Sequence, residues 1–99
     1  MSLSEKQRRH LRGVAHPLNP VIMIGNSGLT DAIVKETERA LHDHELIKVK
    51  VRSAEREQRD TMLATLAQRT ASELVHRIGH VGVLFKPHPR LPKIMVPAK

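Results

Sequence analysis

The spacing of hydrophobic positions changes period several times along the chain, and each change marks an element. From Ser4 to Pro17 the only apolar positions able to form a buried face are Leu11, Val14 and Ala15, set among Lys6, Arg8, Arg9 and Arg12. Ser4 can cap a first helix, Glu5 suits its first turn, and Pro17 and Pro20 end it. Val21-Ile22-Met23-Ile24 is a continuous apolar run bounded by Pro20 and Gly25, which predicts a buried strand. Gly25-Asn26-Ser27-Gly28 then forms a tight loop. Thr30 can cap a second helix whose stripe is Leu29, Ile33, Thr37, Ala40 and Leu41, with Asp31 at its positive end.

From Leu46 the period becomes two. Ile47, Val49 and Val51 fall on one face of a strand, and Lys48, Lys50 and Arg52 on the other. A third helix, with Met62, Leu63, Leu66 and Ala67 on one side, is predicted from about Ala54 to Gln68. Residues Ala71 to Ile78 are ambiguous, because Ala71, Leu74, Val75 and Ile78 match a helical stripe better than a strand. Continuing the third helix that far would make it very long for a small domain, and Gly79-His80 before Val81, Val83 and Phe85 reads as a hairpin, so two strands are expected. Beyond Lys86, four prolines among scattered apolar and basic residues predict an extended tail.

At 99 residues the chain can bury one modest core, so a single domain is expected, with a core of about residues 4–86 and a Pro-rich tail at 87–99. Phe85 is the only aromatic residue, which excludes base recognition by an aromatic stacking platform. Seventeen Lys and Arg against ten acidic residues give a formal net charge of +7, and a polyanion is the natural partner. The lack of cysteine excludes disulfides and thiolate zinc sites and fits a reducing, cytoplasmic setting. No apolar run approaches a membrane span. Met1-Ser2-Leu3 precede the helix signal and carry no argument.

The constellation with most chemical content is the strand, Gly-x-x-Gly loop and helix from Val21 to Leu41. Glycines let the backbone turn sharply, and the following helix offers free N–H groups and a positive dipole end, a corner suited to phosphate. The basic first helix lacks the acidic partners that neutralise most exposed helices, and the Lys48, Lys50 and Arg52 strand face adds three cations. Cations that neutralise phosphates release counterions, giving salt-sensitive affinity with little sequence selectivity. Among the seven histidines, His42 and His44 point to nearly opposite sides of a helix, and none shows ligand spacing, so neither metal nor cofactor is expected. No Walker loop, dinucleotide fingerprint or nucleophile elbow is present, so no catalytic residue is assigned.

The Glu5-Lys6-Gln7-Arg8-Arg9 start, Pro20 to Gly25 with Gly28-Leu29-Thr30, the Glu45 to Val51 strand and Val75 to Phe85 together resemble a stand-alone CRM domain of the bacterial YhbY type, also found in plant organelle splicing factors. The resemblance implies a two-layer α/β fold in the order α-β-α-β-α-β-β. Its mixed four-stranded sheet would be similar to the C-terminal domain of a translation initiation factor, with a KH-like loop. It also implies RNA as partner, specifically ribosomal RNA in precursors of the large subunit, with no membrane association and no DNA specificity, and a monomer is expected. Gly25, Asn26, Ser27, Gly28, Leu29 and Thr30 would hold the RNA backbone, and Lys6, Arg8, Arg9, Arg12, Lys48, Lys50 and Arg52 would extend the footprint. Family loops usually carry a lysine after the first glycine; here Asn26 and Ser27 offer hydrogen bonds in place of that charge. Two rival readings are a protein-interaction module docking an acidic assembly partner and a small enzyme acting on a phosphorylated ligand.

Overall fold

The computed structural model describes residues 2–53 and 55–99. The elements run α1 (Glu5–Ala15), β1 (Pro20–Ile24), α2 (Asp31–His44), β2 (Leu46–Val51), α3 (Arg56–Arg69), β3 (Glu73–Ile78) and β4 (Val81–Phe85). The strands form one mixed sheet in the order β1-β2-β4-β3, with β1 parallel to β2 and β4 antiparallel to both of its neighbours. The ambiguous stretch thus resolves in favour of a strand at Glu73–Ile78. The expected start of the third helix at Ala54 lies outside the described residues; the helix itself occupies Arg56–Arg69.

Strand alternation gives the sheet a core on each face, so the two-layer expectation is refined to a sheet covered on both sides. Ile22, Ile24, Ile47, Val49, Val51 and Leu84 pack with Val34 and Leu41 of α2 and Leu63, Leu66 and Ala67 of α3. On the opposite face Leu46, Val75, Val83 and Phe85 pack with Leu11 and Ala15 of α1 and with Leu3.

Helix α1 begins with a capping box. The Ser4 hydroxyl accepts from the Gln7 N–H at 3.2 Å, and the Gln7 side chain accepts from the Ser4 N–H at 2.9 Å. Ser4→Ala should therefore cost about 1 kcal/mol in urea unfolding. The buried face differs from expectation: Gln7 joins Leu11 and Ala15, while Val14 is 37% exposed. Gln7 is tolerated there because its Nε2 donates to the Pro97 carbonyl at 2.9 Å.

The first strand is not the fully buried element expected from its apolar run. It is one of the sheet's two edges, and Val21 and Met23 are 50% and 45% exposed. Thr30 caps α2 as expected, accepting from the Ile33 N–H at 3.2 Å. Helix α3 is stopped by Ala71, at φ 54°, and the Ser72 N–H reaches back to the Ala67 carbonyl at 2.9 Å in a Schellman-type closure. Gly79 at φ 58° supplies the positive φ that the two-residue β3–β4 turn requires.

The tail contains no regular element, yet it is fixed. Ile94 and Val96 pack on the α1-side core, and His10 Nε2 bonds the Met95 carbonyl at 2.9 Å. The Glu45 carboxylate, buried at the end of α2, accepts from the N–H groups of His88 at 2.6 Å, Lys93 at 2.7 Å and Ile94 at 2.9 Å.

Candidate nucleic-acid interface

The glycine loop closes as a turn in which the Gly28 N–H donates to the Gly25 carbonyl at 3.0 Å. Gly28 adopts φ 72°, where a side chain would be strained, whereas a Cβ on Gly25 would meet open space. Of the two glycines, only Gly28 is required by the backbone. Asn26 and Ser27 are exposed at the tip. Leu29 turns inward against the α2–α3 core, so its contribution is to anchor the loop. Thr30 caps the Ile33 amide, and among the described residues the first-turn amides of Asp31 and Ala32 have no acceptor, as expected at a helix start.

A carboxylate at such a corner opposes phosphate. Here Asp31 is paired with Arg69 at 3.0 Å, a contact between the start of α2 and the end of α3 that sequence reading did not find. Local pattern could not reveal it, because the partners are 38 residues apart.

The seven predicted cations do not form one patch. Arg52 leaves β2 beside the loop, its N–H donating to the Ile24 carbonyl at 3.0 Å, and Lys50 pairs in register with Met23 on β1. These two adjoin the loop and are exposed. Lys48 lies one row further along the same face and is half-buried, its Nζ donating to the His16 carbonyl at 3.1 Å.

The cations of α1 divide by helical position. Lys6 and Arg9 are exposed on its outer side. Arg8 and Arg12 lie on one flank and, contrary to expectation, both have acidic partners: Glu73 at 3.8 Å and Glu5 at 3.7 Å. Arg8 also donates to the carbonyls of Leu74 at 2.6 Å and Val75 at 3.2 Å, which commits its guanidinium to holding α1 on β3. Leu74 and Val51 are separated by about four strand residues through the β3–β4–β2 register, roughly 13 Å, so Arg8 sits well away from the loop end of the sheet.

Between the end of α1 and the sheet lies a depression of about 290 Å³ lined by Arg12, His16, Lys48 and His76 over Val81 and Ile78. Burial, and then the charges of Arg12 and Arg77, push His76 below the ordinary histidine value, so its imidazole stays uncharged at neutral pH. His80 is engaged elsewhere, with Nδ1 at 2.8 Å from the Val51 carbonyl. Among the described residues no cluster of His, Cys, Asp and Glu could hold a metal ion, and no helix is long and apolar enough to cross a membrane.

Comparison with known proteins bears on this geometry. The profile of the CRS1/YhbY (CRM) domain matches residues 3–86. A Haemophilus influenzae protein named "RNA-binding protein" is 45% identical over 99% of this chain and 98% of its own length. A Pseudomonas aeruginosa protein named "probable RNA-binding protein" is 39% identical over 91% of this chain and 86% of its own. A hypothetical protein from Staphylococcus aureus, solved in solution, superposes with a TM-score of 0.85 at 33% identity, covering 97% of this chain and all of the other. With a profile match from Leu3 to Lys86 and relatives aligned almost end to end, the chain belongs to the CRS1/YhbY (CRM) domain family.

Proposed function

We propose that this protein binds RNA as a monomeric single domain in the cytoplasm, and that its partner is ribosomal RNA in precursors of the large subunit. The observation that carries the RNA reading is the corner itself. A turn at Gly25–Gly28 leads into the N-terminus of α2, Asp31 at that terminus is ion-paired with Arg69, and Lys50 and Arg52 stand exposed alongside. The names of the relatives support the same partner class. The large-subunit assignment rests on the family resemblance.

In this reading Asn26, Ser27 and the backbone amides hold a phosphate by hydrogen bonds, and Lys50 and Arg52 supply its countercharge. Arg12, Lys48, Lys6 and Arg9 extend the footprint, and Arg8 acts by holding α1 in place. The binding geometry requires no catalytic group.

The cellular test is sedimentation of the tagged protein from a gentle lysate, at low and raised salt and after nuclease. Comigration with large-subunit precursors that is lost on either treatment is expected; recovery only at the top of the gradient would remove that partner. Comigration that survives nuclease would favour a protein partner, for which Val14, Leu18 and Val21 form a half-exposed apolar trough. In vitro, Lys50→Gln with Arg52→Gln should reduce the salt slope of single-strand binding by about 0.7 per lost phosphate contact. An unchanged slope would remove these residues from the interface.

A further inference from the structure

Helix α1 is too short to cover its face of the sheet. Its eleven residues span roughly 16 Å, and its buried contacts are with Leu46, Val75, Val83 and Phe85, towards the end away from the glycine loop. The strand registers define what remains open. Lys48 pairs with Val83, and Val83 with His76, forming a row that the end of α1 half covers. Two residues further on, Met23 pairs with Lys50, Lys50 with Val81, and Val81 with Ile78, giving a second row across all four strands.

This second row is a shelf. Ile78 is 69% and Met23 45% exposed, Lys50 is exposed and Val81 half-exposed. Solvent-facing aliphatic side chains thus stand at both ends of one cross-strand row, with half-exposed Val81 between them. Cations predominate around it. Arg12, Lys48 and Lys50 border the shelf, Arg52 lies beside Met23 with its Nε 3.2 Å from the sulfur, and none of the described residues lining the depression above it is acidic. The shelf also ends at the glycine loop, which follows β1 one residue beyond Met23's neighbour Ile24.

We propose that this shelf receives unpaired RNA bases, so that a single strand whose backbone is held at the glycine loop lays its next bases across Met23, Val81 and Ile78. The inference rests on the RNA-binding reading above and adds a base-dependent component to it. The aliphatic floor takes the flat faces of the bases, while Lys48, Lys50, Arg12 and Arg52 meet the flanking phosphates. His16 and the uncharged His76 ring present hydrogen-bonding edges at the rim. Charge complementarity selects this occupant: a largely apolar shelf with Arg12, Lys48, Lys50 and Arg52 around it matches a strand with apolar faces and anionic linkages. A duplex, with its bases stacked inside, would gain nothing from the floor.

The test compares fluorescence-anisotropy titrations of a short single-stranded oligoribonucleotide, its duplex, and an abasic oligonucleotide of the same length and charge. Wild-type protein is expected to bind the base-bearing single strand about fivefold or more tightly than the abasic strand, in line with partial burial of a few methylene groups. Met23→Ser with Ile78→Ser, two exposed positions whose exchange leaves the net charge unchanged, should erase that preference while keeping abasic affinity and salt slope. Equal wild-type affinity for base-bearing and abasic strands would overturn the shelf and leave the backbone-binding reading standing. A preference that persists in the double variant would also overturn it, placing the base contacts elsewhere. Failure of the wild-type protein to bind any of the three would overturn both readings together.

Discussion

Replacing Glu45 by Ala should lower stability by about 3 kcal/mol in urea unfolding, a larger loss than any surface substitution would cause. The carboxylate is almost completely buried and receives three backbone N–H groups from the tail, two of them on one oxygen. Alanine would leave those donors without an acceptor and release the segment that brings Ile94 and Val96 onto the α1-side core. Glu45 also occupies φ 63°, a conformation costly for any residue with a Cβ. Glu45→Gly relieves that strain, so it should be less destabilising than Glu45→Ala by about 1 kcal/mol. Equal losses in the two variants would show that the backbone at this position carries no strain.

The same carboxylate should set part of the acid sensitivity. Burial alone pushes Glu45 upward, but the N–H donors of His88, Lys93 and Ile94, with the His88 ring nearby, together hold it below the ordinary carboxylate value. A carboxylate whose value is lower in the folded than in the unfolded chain contributes stability that is complete above the unfolded value and is lost as pH falls through the folded one. The gap between wild type and Glu45→Ala should therefore narrow as acid is added below the carboxylate range. Urea midpoints measured across that range check it; a gap independent of pH would mean that Glu45 does not titrate with folding.

The second large effect is expected at Gly82, the second residue of β4. A Cβ built there would stand 2.7 Å from both terminal carbons of Leu63 and 3.2 Å from its Cγ, and Leu63 is fully buried in the core beneath α3. Gly82→Val should cost about 2–3 kcal/mol, because α3 must lift from the sheet or Leu63 must leave its rotamer. Leu63→Ala alone should cost a similar amount by opening a cavity. Combined, the two should be less destabilising than the sum of the singles, since the valine then occupies space the leucine gave up. Strict additivity in denaturant midpoints would show that the two side chains do not compete for that space.

The sequence by itself determined most of what depends on neighbours in the chain. Ser4 and Thr30 were legible as caps because a cap bonds residues three positions on, and the Leu46 to Arg52 alternation was legible because a strand turns its side chains over every residue. The net charge, the glycine turn and the family resemblance singled out the loop corner as the candidate site before any packing was known. What stayed ambiguous or misread locally did so for local reasons. The end of α3 carries no glycine or proline, since Ala71 takes the left-handed position, and so the hydrophobic period ran on towards Ile78 as if helical. Val21 and Met23 read as core because an apolar run does not say whether its strand has one neighbour or two.

Tertiary structure decided which charges are available. The pattern along α1 could not show that Arg8 is bonded to carbonyls on β3 66 and 67 residues away, or that Arg69 pairs with Asp31 at the start of α2. Nor could it show that Met23, Lys50, Val81 and Ile78 line up across four strands, because a cross-strand row is set by register between segments that are remote in sequence. The buried carboxylate of Glu45 belongs to the same class. In sequence it is one acidic residue at the end of a helix, and only the return of the tail, more than forty residues later, supplies the donors that make burying it favourable.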